Sequence, residues 1–507
     1  MKRLMIRLTT LVLLQTGQIR AQDSAAFEPV RKQIQHELRD GTIPSVAVAV
    51  AKDGRILWEE GFGWADRENK RRSTAHTAYN IASVTKPVTA TAIMRLAQER
   101  KVGLDVPANE YLKQFQIVSF PGDSKGPSVR QLLMHRSGLP IHWHSWDLRD
   151  LKLRPPFGET ARRYAFAAWP PGERYEYSNL GYGVLGELIA QISGRSYADF
   201  IQEEIFRPLE MGDSFIGLPK DPSTAASPYD DGKRIELNDN DTQGASAAYS
   251  SVHDLVLFGI FHLGTLLPGQ EQILSQANIR EMQNTSLQTN GTEGYGMGWS
   301  TNSDMLGVSI VFHGGANPGA EASLLLVPSE KLVIAVLTNS NNSMPRNVTR
   351  EIIALLVPSF RARLEQALPH RKMIEAPSVS EPVENPAQAT PEDLLGKWTG
   401  KVRTYTGEVP LTLWCSKGGE VRLQLDDELE SLVNNVDFKD GAGISGLAFG
   451  DIGTPDVSRF TSDLAIDVTR HGDRMYGVLS THEHHGDRLD RPYGELSHFV
   501  DLVRQRN

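Results

Sequence analysis

The chain contains almost no cysteine, and this scarcity excludes two kinds of stabilising structure. Cys415 is the only cysteine among 507 residues. A disulfide within the chain and a thiolate metal cluster both require more than one cysteine, and an N-terminal lipid anchor requires one after the export signal. The fold is therefore expected to be stabilised by core packing. We predict no metal and no cofactor from the sequence as a whole.

An excess of positive charge is also lacking. Lysine and arginine number 53 against 62 aspartate and glutamate, for a formal net charge of −9. A chain this acidic is not expected to bind nucleic acid through its overall electrostatics. The sequence leaves the oligomeric state open.

The first apolar run of the chain is short. Leu8–Leu14 falls well below the roughly 20 residues that a bilayer span needs. It follows Lys2, Arg3 and Arg7 and precedes a polar stretch, which is the order of regions in a secretory signal. We predict a signal peptide at residues 1–21, export to the periplasm or outside the cell, and no stable membrane span. A buried N-terminal helix is the alternative.

Two β-hairpins are predicted near the two ends of the first 340 residues. The apolar runs Val46–Val50 and Ile56–Trp58 are joined across Lys52-Asp53-Gly54, and Asp-Gly favours a tight turn. Ser323–Val327 and Leu332–Leu337 are nearly continuous in Leu, Val and Ile, as in strands buried on both faces.

The middle of the chain is predicted to be mainly helical. Apolar residues recur at helical spacing over Val84–Leu96 and again over Val184–Ile192, which Gly194 ends. Strands at both ends around a helical insertion predict an α/β (α+β) fold with one antiparallel sheet built from both chain ends.

A proline-rich segment predicts a domain boundary after the second hairpin. Residues 367–391 contain five prolines among Glu, Ser and Ala without an apolar period, which is typical of an extended linker. Short strand-like runs separated by Gly and Asp turns follow it. We predict a main domain over residues 26–366, a linker over 367–391 and a small all-β, barrel-like domain over 392–507.

Three short motifs contain residue types that carry chemistry. Ser83-Val84-Thr85-Lys86 begins a predicted helix, where the i to i+3 spacing places Ser83 and Lys86 on one face. Free backbone N–H groups at a helix start favour a developing oxyanion. Taken alone, Ser-x-x-Lys is more often solvated helix surface than a catalytic pair.

The second motif is Tyr177-Ser178-Asn179, on the loop that enters the second predicted helix, and Asn179 is alternatively a helix N-cap. The third is His313-Gly314-Gly315, which ends a predicted strand and leads into Ala316. Paired glycines let a ligand approach a strand edge, although a bulge or a turn is the preferred explanation when the pair is taken alone.

The order and context of these motifs resemble those of penicillin-recognising serine hydrolases. The similar group is that of class C β-lactamases, D,D-carboxypeptidases, D-aminopeptidases and family VIII esterases. The resemblance covers about residues 30–360 and includes further matching phrases, which are Gly61–Gly63, His135–Leu139, Tyr295–Trp299 and Leu337–Asn339. It implies a β-lactamase/penicillin-binding-protein-like fold and acyl-enzyme chemistry.

The resemblance also implies a role for each motif residue. Ser83 is the nucleophile, and Lys86 keeps Tyr177 poised as a phenolate or shares its proton. Tyr177 acts as general base toward Ser83 and then returns the proton to the leaving group. Asn179 binds the substrate amide and orients Lys86. The substrate-binding residues on the strand are His313, Gly314, Gly315 and Ala316, with the N–H groups of Ser83 and Ala316 forming the oxyanion hole.

His313 stands where the β-lactamases of this group have a lysine. Histidine is only partly charged at neutral pH, so we expect weaker binding of a β-lactam carboxylate. The leading hypothesis is a serine hydrolase of amides or esters, acting on D-amino-acid peptides or small esters. A weak β-lactamase and a penicillin-binding sensor without turnover are the alternatives.

Two features of the C-terminal region complete the sequence analysis. Leu395–Gly400, with Gly-x-Trp near the first strand, is similar to lipocalin-like barrels. His482–Asp487 is rich in histidine, but its spacing does not match the metallo-β-lactamase signature. We interpret this stretch as a polar hairpin and not as a metal site.

Overall fold

The computed structural model describes residues 25–285, 288–371, 389–457, 461–484 and 494–505. The predicted signal peptide, most of the predicted linker and residues 485–487 of the histidine-rich stretch lie outside these ranges. The described residues form two compact units. The first combines residues up to 99 with 195–237 and 246–371, and the second combines 100–194 with 238–245 and the C-terminal residues from 389.

A nine-stranded antiparallel sheet forms the centre of the first unit. Its strands, in spatial order, are Gln288–Asn290, Glu293–Tyr295, Ser300–Met305, Val308–Asn317, Ala320–Val327, Leu332–Thr338, Ser45–Lys52, Arg55–Asp66 and Arg71–Arg72. Both predicted hairpins are present. The strand Ser45–Lys52 pairs with Leu332–Thr338 in the register Ala49 to Ala335, so the prediction of one sheet from both chain ends is confirmed.

Local sequence explains the first hairpin. Asp53 and Gly54 both have positive φ, 51° and 70°, as a tight two-residue turn requires. Seven of the eight residues of Ser45–Lys52 are buried, so this strand is covered on both faces.

Helices cover the sheet of the first unit. They are Glu28–Glu37, Thr85–Gln98, Tyr197–Ile201, Val252–His262, Gln276–Gln283, Met344–Leu356 and Pro358–Arg371, with a π-helical turn at Gln202–Phe206. The core on one face joins Val30 and Ile34 of the first helix and Val348 and Ile352 of a later one to strand residues such as Val48. Packing of this kind is the dominant stabilising term in a chain without disulfides.

Short strands complete the first unit. Ala248–Ser250 lies between Tyr79–Asn80 and Phe215–Ile216 in a three-stranded sheet, and Tyr229–Asp230 pairs with Lys233–Arg234. The three-stranded sheet fixes the segment directly before Ser83, because Tyr79–Asn80 is its edge.

The second unit contains helices and a larger sheet. Its helices are Val129–Leu133, Phe157–Tyr164 and Asn179–Ser193, while Gln243–Ser246 begins in this unit. The antiparallel strands are, in spatial order, Ser431–Leu432, Val421–Leu425, Gly407–Cys415, Gly396–Thr404, Gly494–Arg504, Arg474–His484, Thr461–His471, Gly443–Ala448 and Asn434–Asp437. Only Val433 separates the two edge strands along the chain, so the sheet is nearly closed and barrel-like, as predicted. Its interior is filled by residues such as Trp398 and Leu413.

The C-terminal strands and the helical part of the second unit share their packing. The strand Trp143–Asp147 pairs with Gly494–Arg504 on one side and with Asn238–Asn240 on the other. Phe166 and Trp169 pack with Val478 and Phe499 in a separate apolar cluster. The predicted boundary between residues 366 and 392 stays a prediction, but the C-terminal sheet is bound to the helical segment by these contacts.

A buried carboxylate strengthens the same contact. Asp456 accepts hydrogen bonds from the hydroxyls of Tyr164 and Tyr405, the latter at 2.8 Å, and pairs with Arg163 at 3.4 Å. Burial by itself raises the pKa of Asp456, but the hydroxyl hydrogen bonds outweigh it and leave the pKa below its usual value. The charged form is therefore the one that the site stabilises.

Among the described residues, we find no helix with both the length and the apolar content to cross a bilayer.

We predict that Asp456→Asn lowers the free energy of unfolding by about 1–3 kcal/mol, because the amide leaves buried donors with weaker partners. Chemical denaturation measures the change. Asp427→Asn is the matched control, since Asp427 is exposed in a turn of the same unit, and it should be nearly neutral. Equal effects of the two substitutions on the free energy of unfolding would show that the Asp456 hydrogen bonds do not stabilise this packing.

Candidate active site

Ser83 lies in a turn that the surrounding chain holds in an unusual conformation. It is the middle residue of a 3₁₀ turn, Ala82–Val84, which precedes the helix Thr85–Gln98. Ala82 has a φ of +47°, a left-handed backbone conformation that residues other than glycine rarely adopt. The Ala82 N–H donates to Asn80 Oδ1 at 2.9 Å, which supports this conformation. Strain of this kind persists where neighbouring contacts fix it, and it clusters at functional sites.

Lys86 contacts Ser83 directly. Lys86 Nζ lies 3.0 Å from Ser83 Oγ, as the i to i+3 spacing predicted. The Lys86 side chain is fully buried. Burial lowers the pKa of this amine well below its ordinary value of 10.5, because the charged form is desolvated. The neutral amine is the form that can accept a proton from the serine hydroxyl.

The strand Val308–Asn317 runs against the Ser83 turn. A Cβ added to Gly315 would lie 2.3 Å from the Ile81 carbonyl oxygen and 2.9 Å from the Ser83 nitrogen, so only glycine fits there. Asn317 Nδ2 donates to Asn80 Oδ1 at 2.9 Å and ties the same strand to the turn. Asn80 and Asn317 belong to no short motif in the sequence, and only the fold brings them together.

The strand continues through the glycine pair. Gly314 pairs with Ser323, Gly315 with Ala322 and Ala316 with Glu321. The expectation that the strand ends at His313-Gly314-Gly315, and the alternative of a turn or bulge there, are therefore wrong, because the next strand in the sheet extends the pairing through these residues. Gly314 and Ala316 are exposed on this strand while Gly315 is buried. Ala316 thus lies beside the strand position that contacts Ser83.

His313 is buried and engaged at both ring nitrogens. Its Nδ1 lies 2.7 Å from the Gly314 carbonyl oxygen, which can only accept, so Nδ1 carries the proton. Nε2 then accepts from the Tyr295 hydroxyl at 3.0 Å. Burial and the nearby Lys86 lower the pKa of His313 to about 3. The sequence predicted a partly charged imidazole, whereas this environment keeps it neutral; its role in binding substrate stays a prediction.

Tyr177 and Asn179 lie in the second unit, at the start of the helix Asn179–Ser193. The N-cap of this helix is Ser178, whose hydroxyl accepts from the Gly181 N–H at 3.0 Å. The alternative interpretation of Asn179 as the N-cap is therefore wrong, since Asn179 is the first helical residue. The catalytic role of Tyr177 and the substrate contact of Asn179 stay predictions.

His135 supports the Tyr177 segment, a role that sequence analysis did not assign. The Ser178 N–H donates to His135 Nδ1 at 3.0 Å, and the His135 ring lies 4.3 Å from that of Tyr177. His135 has a φ of +54° and is fully buried. The signal was present in the His135–Leu139 phrase, but the sequence does not show which backbone group the imidazole meets.

The glycine pair allows a matched test of the contact between strand and turn. We predict that Gly315→Ala lowers kcat/KM for an ester substrate by at least about tenfold, because the new methyl displaces the Ser83 backbone. Gly314→Ala is the steric control, since the nearest atom to its added Cβ is 3.8 Å away, and it should keep the wild-type thermal midpoint and lose less activity than Gly315→Ala. Steady-state kinetics and thermal melts measure both. A Gly315→Ala enzyme as active as Gly314→Ala would contradict the described approach of the strand.

Comparison with known proteins places this geometry in a family. Protein flp of Staphylococcus aureus (strain MW2) is 29% identical over 329 residues, covering 61% of this chain and 62% of flp. The chain thus matches somewhat less than two thirds of the length of that relative.

Two solved structures share the fold. The octameric penicillin-binding protein homologue from Pyrococcus abyssi has a TM-score of 0.53 at 23% identity, with 89% of this chain and 97% of that chain covered. A class C β-lactamase has a TM-score of 0.54 at 21% identity, with 67% and 97% covered. The predicted resemblance to this group is confirmed. The family model described as Beta-lactamase matches residues 30–357, well over half of the chain, and the protein therefore belongs to the β-lactamase family.

Proposed function

We propose that this β-lactamase-family hydrolase acts through an acyl-enzyme on Ser83. The observation that carries the proposal is the 3.0 Å contact between Ser83 Oγ and the fully buried amine of Lys86. A nucleophilic serine needs a base at hydrogen-bond distance, and a lysine with a lowered pKa is such a base near neutral pH.

Acylation requires two proton transfers, one from Ser83 to Lys86 and one from Lys86 through Tyr177 to the leaving group. Ser83 Oγ attacks the substrate carbonyl carbon while its proton moves to the Lys86 amine. The carbonyl oxygen becomes an oxyanion, which the N–H groups of Ser83 and Ala316 stabilise. The bond to the leaving group then breaks, and the leaving nitrogen or oxygen takes up a proton through Tyr177. Lys86 is thereby returned to its neutral form.

Deacylation repeats these steps with water as the nucleophile. Water gives its proton to the same Lys86 and Tyr177 pair and attacks the ester carbon of the acyl-enzyme. The Ser83 oxygen leaves and is reprotonated. Tyr177 as general base toward Ser83 is the alternative assignment that the family resemblance implies, and Asn179 is proposed to orient the substrate amide.

The environment of His313 favours substrates without a carboxylate at this position. A neutral imidazole with both nitrogens engaged offers no cation, whereas β-lactam recognition in this group uses a permanent one. We therefore favour small esters and D-amino-acid-containing peptides or amides over β-lactams. A weak β-lactamase is the second candidate, supported by the family membership itself.

We propose further that the protein is exported, on the basis of residues 1–21, and that its partner is a small-molecule or peptide substrate.

Stopped-flow kinetics with a chromogenic ester separates an enzyme from a sensor without turnover. A hydrolase gives a sustained rate, with or without an initial burst, whereas a sensor gives one burst that is stoichiometric with protein. Ser83→Ala should lose both phases, and undiminished hydrolysis in that variant would contradict the assignment of Ser83.

We predict that Lys86→Met lowers kcat/KM by about 10²–10⁴-fold and raises the thermal midpoint. The activity falls because the base is lost. The stability rises because burying a methionine side chain does not carry the desolvation cost of burying a lysine amine. Since the folded pKa of Lys86 is below its unfolded value, the unfolded chain binds more protons between these values, and wild-type stability increases with pH across that window. The Lys86→Met variant should lack this contribution to the increase of stability with pH.

Lys32→Met is the matched control, because Lys32 is exposed on the helix Glu28–Glu37. It should leave both activity and pH-dependent stability nearly unchanged. A Lys86→Met protein that is less stable than wild type at neutral pH, or that keeps full activity, would show that the buried amine is not the neutral base.

The neutral His313 generates a pH prediction. Because its pKa is lowered to about 3, the imidazole does not titrate between about pH 5 and 8. The ratio of kcat/KM for a carboxylate-bearing substrate to that for its neutral methyl ester should therefore be constant across this range. A decline of the ratio with rising pH near 6.5 would mean that His313 is exposed to the substrate and protonated.

A further inference from the structure

Three metal-ligating side chains meet on the surface of the first unit, although they are far apart in the sequence, and a fourth, Asp213, contacts one of them. Glu59 is on a strand of the large sheet, His76 is in the segment that leads to the Ser83 turn, and His253 is in the first turn of a helix. One potential ligand atom from each of these three residues lies within 4.8 Å of the other two. We call these residues, together with Asp213, the surface histidine cluster.

Each imidazole in the cluster already contacts a carboxylate. His76 Nδ1 lies 2.9 Å from Asp213 Oδ2, and His253 Nδ1 lies 2.8 Å from Glu59 Oε2. The two imidazole rings are 4.5 Å apart between centroids, at an interplanar angle of 40°. Two nitrogen donors and one oxygen donor therefore converge on one small region, and the Asp213 carboxylate contacts one of the two nitrogens.

Backbone and hydroxyl contacts fix the elements that carry the cluster. The His253 N–H donates to the Ala75 carbonyl oxygen at 3.3 Å, which joins the helix to the segment containing His76. The Ser251 hydroxyl donates to Asp213 Oδ2 at 3.1 Å and also caps that helix. The ligands thus stand on connected backbone and not on independent loops, so their ordering is largely achieved by folding.

We propose that the surface histidine cluster binds one divalent transition-metal ion of the Zn²⁺ class. Neutral imidazole nitrogens and carboxylate oxygens are the ligand types that Zn²⁺ takes up, at about 2.0–2.2 Å. Two carboxylates also balance the charge of a divalent cation. Closing a tetrahedral shell requires the side chains to move inward by about an ångström. The positions allow such movement, since the side chain of His76 is 57% exposed and those of Glu59 and His253 are each 27% exposed.

The bound ion would link the sheet, the helix and the segment that leads to the Ser83 turn. Its role is structural, and the inference holds whether or not the proposed acyl-enzyme chemistry is correct. The sequence predicted no metal because the ligands at positions 59, 76, 213 and 253 form no short motif. Only the fold brings them together.

Calorimetric titration of the chelator-treated full chain with Zn²⁺ alone tests the proposal. We expect one ion per chain, a higher thermal midpoint with the ion, and visible Co²⁺ absorption typical of a four-coordinate site. The double variant His76→Ala/His253→Ala should weaken binding at least about 100-fold, and Glu59→Gln at least about tenfold. Should the double variant fail to fold, His76→Gln at the most exposed position provides the same comparison.

Two histidine controls distinguish this cluster from other imidazoles. His36→Ala removes an exposed imidazole on a helix of the same unit, and His482→Ala alters the histidine-rich C-terminal stretch. Both should bind Zn²⁺ as the wild type does. The proposal is overturned if wild type takes up no stoichiometric ion, if the double variant binds normally, or if His482→Ala abolishes binding.

Discussion

A lysine side chain buried against a serine hydroxyl is the constraint on which the candidate site depends. Removing an ammonium group from water is expensive, and a protein tolerates it most readily by letting the amine lose its proton. Lys86 has no exposed surface and lies at hydrogen-bond distance from Ser83. The burial that weakens the fold at this point also favours the neutral amine, which is the form that the proposed base requires.

The same buried amine influences its neighbours. It contributes to the lowered pKa of His313, together with the burial of that imidazole. Gly298, with a φ of +83°, packs so closely that an added Cβ would lie 3.1 Å from the Lys86 carbonyl oxygen. The Gly298 position belongs to the Tyr295–Trp299 phrase, whose tyrosine also holds His313. The Ser83–Lys86 motif and the Tyr295–Trp299 phrase, which are far apart in the sequence, therefore pack against each other.

The backbone around Ser83 is held from two sides. Asn80 Oδ1 accepts from the Ala82 N–H and from the Asn317 side chain, so one amide oxygen joins the turn to the strand beside it. On the helix side, the Thr85 hydroxyl donates to the Ala82 carbonyl oxygen and accepts from the Ala248 N–H at 3.0 Å. This support explains how a non-glycine residue keeps a left-handed conformation directly before the proposed nucleophile.

Local chemistry in the sequence was enough to predict the hairpins and the pairing of Ser83 with Lys86. The Asp53-Gly54 turn and the helical spacing of residues 83 and 86 depend on neighbours in the chain, which a sequence displays directly. The tautomer of His313 depends on Tyr295, and the fit of Gly315 depends on the Ile81 carbonyl. These contacts are set by sheet register and were not predicted.

The C-terminal region illustrates the same limit on a larger scale. Its strands were predicted from short strand-like runs separated by Gly and Asp turns, because strand formation is a local signal. Its packing against Phe166 and Trp169, and the pairing of its last strand with Trp143–Asp147, join segments more than 300 residues apart. A proline-rich linker suggests that the C-terminal domain folds independently of the preceding one. The linker sequence contains no information about which surfaces of the two domains pack together.

The central claim is that a covalent acyl group forms on Ser83 with Lys86 as the base. Its most direct test is mass spectrometry of protein quenched with acid during turnover of a slow ester. The account predicts one added acyl mass per chain, mapped by peptide analysis to the Ser83 oxygen and absent in Lys86→Met. Turnover without any adduct on Ser83, or an acyl group on another residue at the same occupancy, would contradict it.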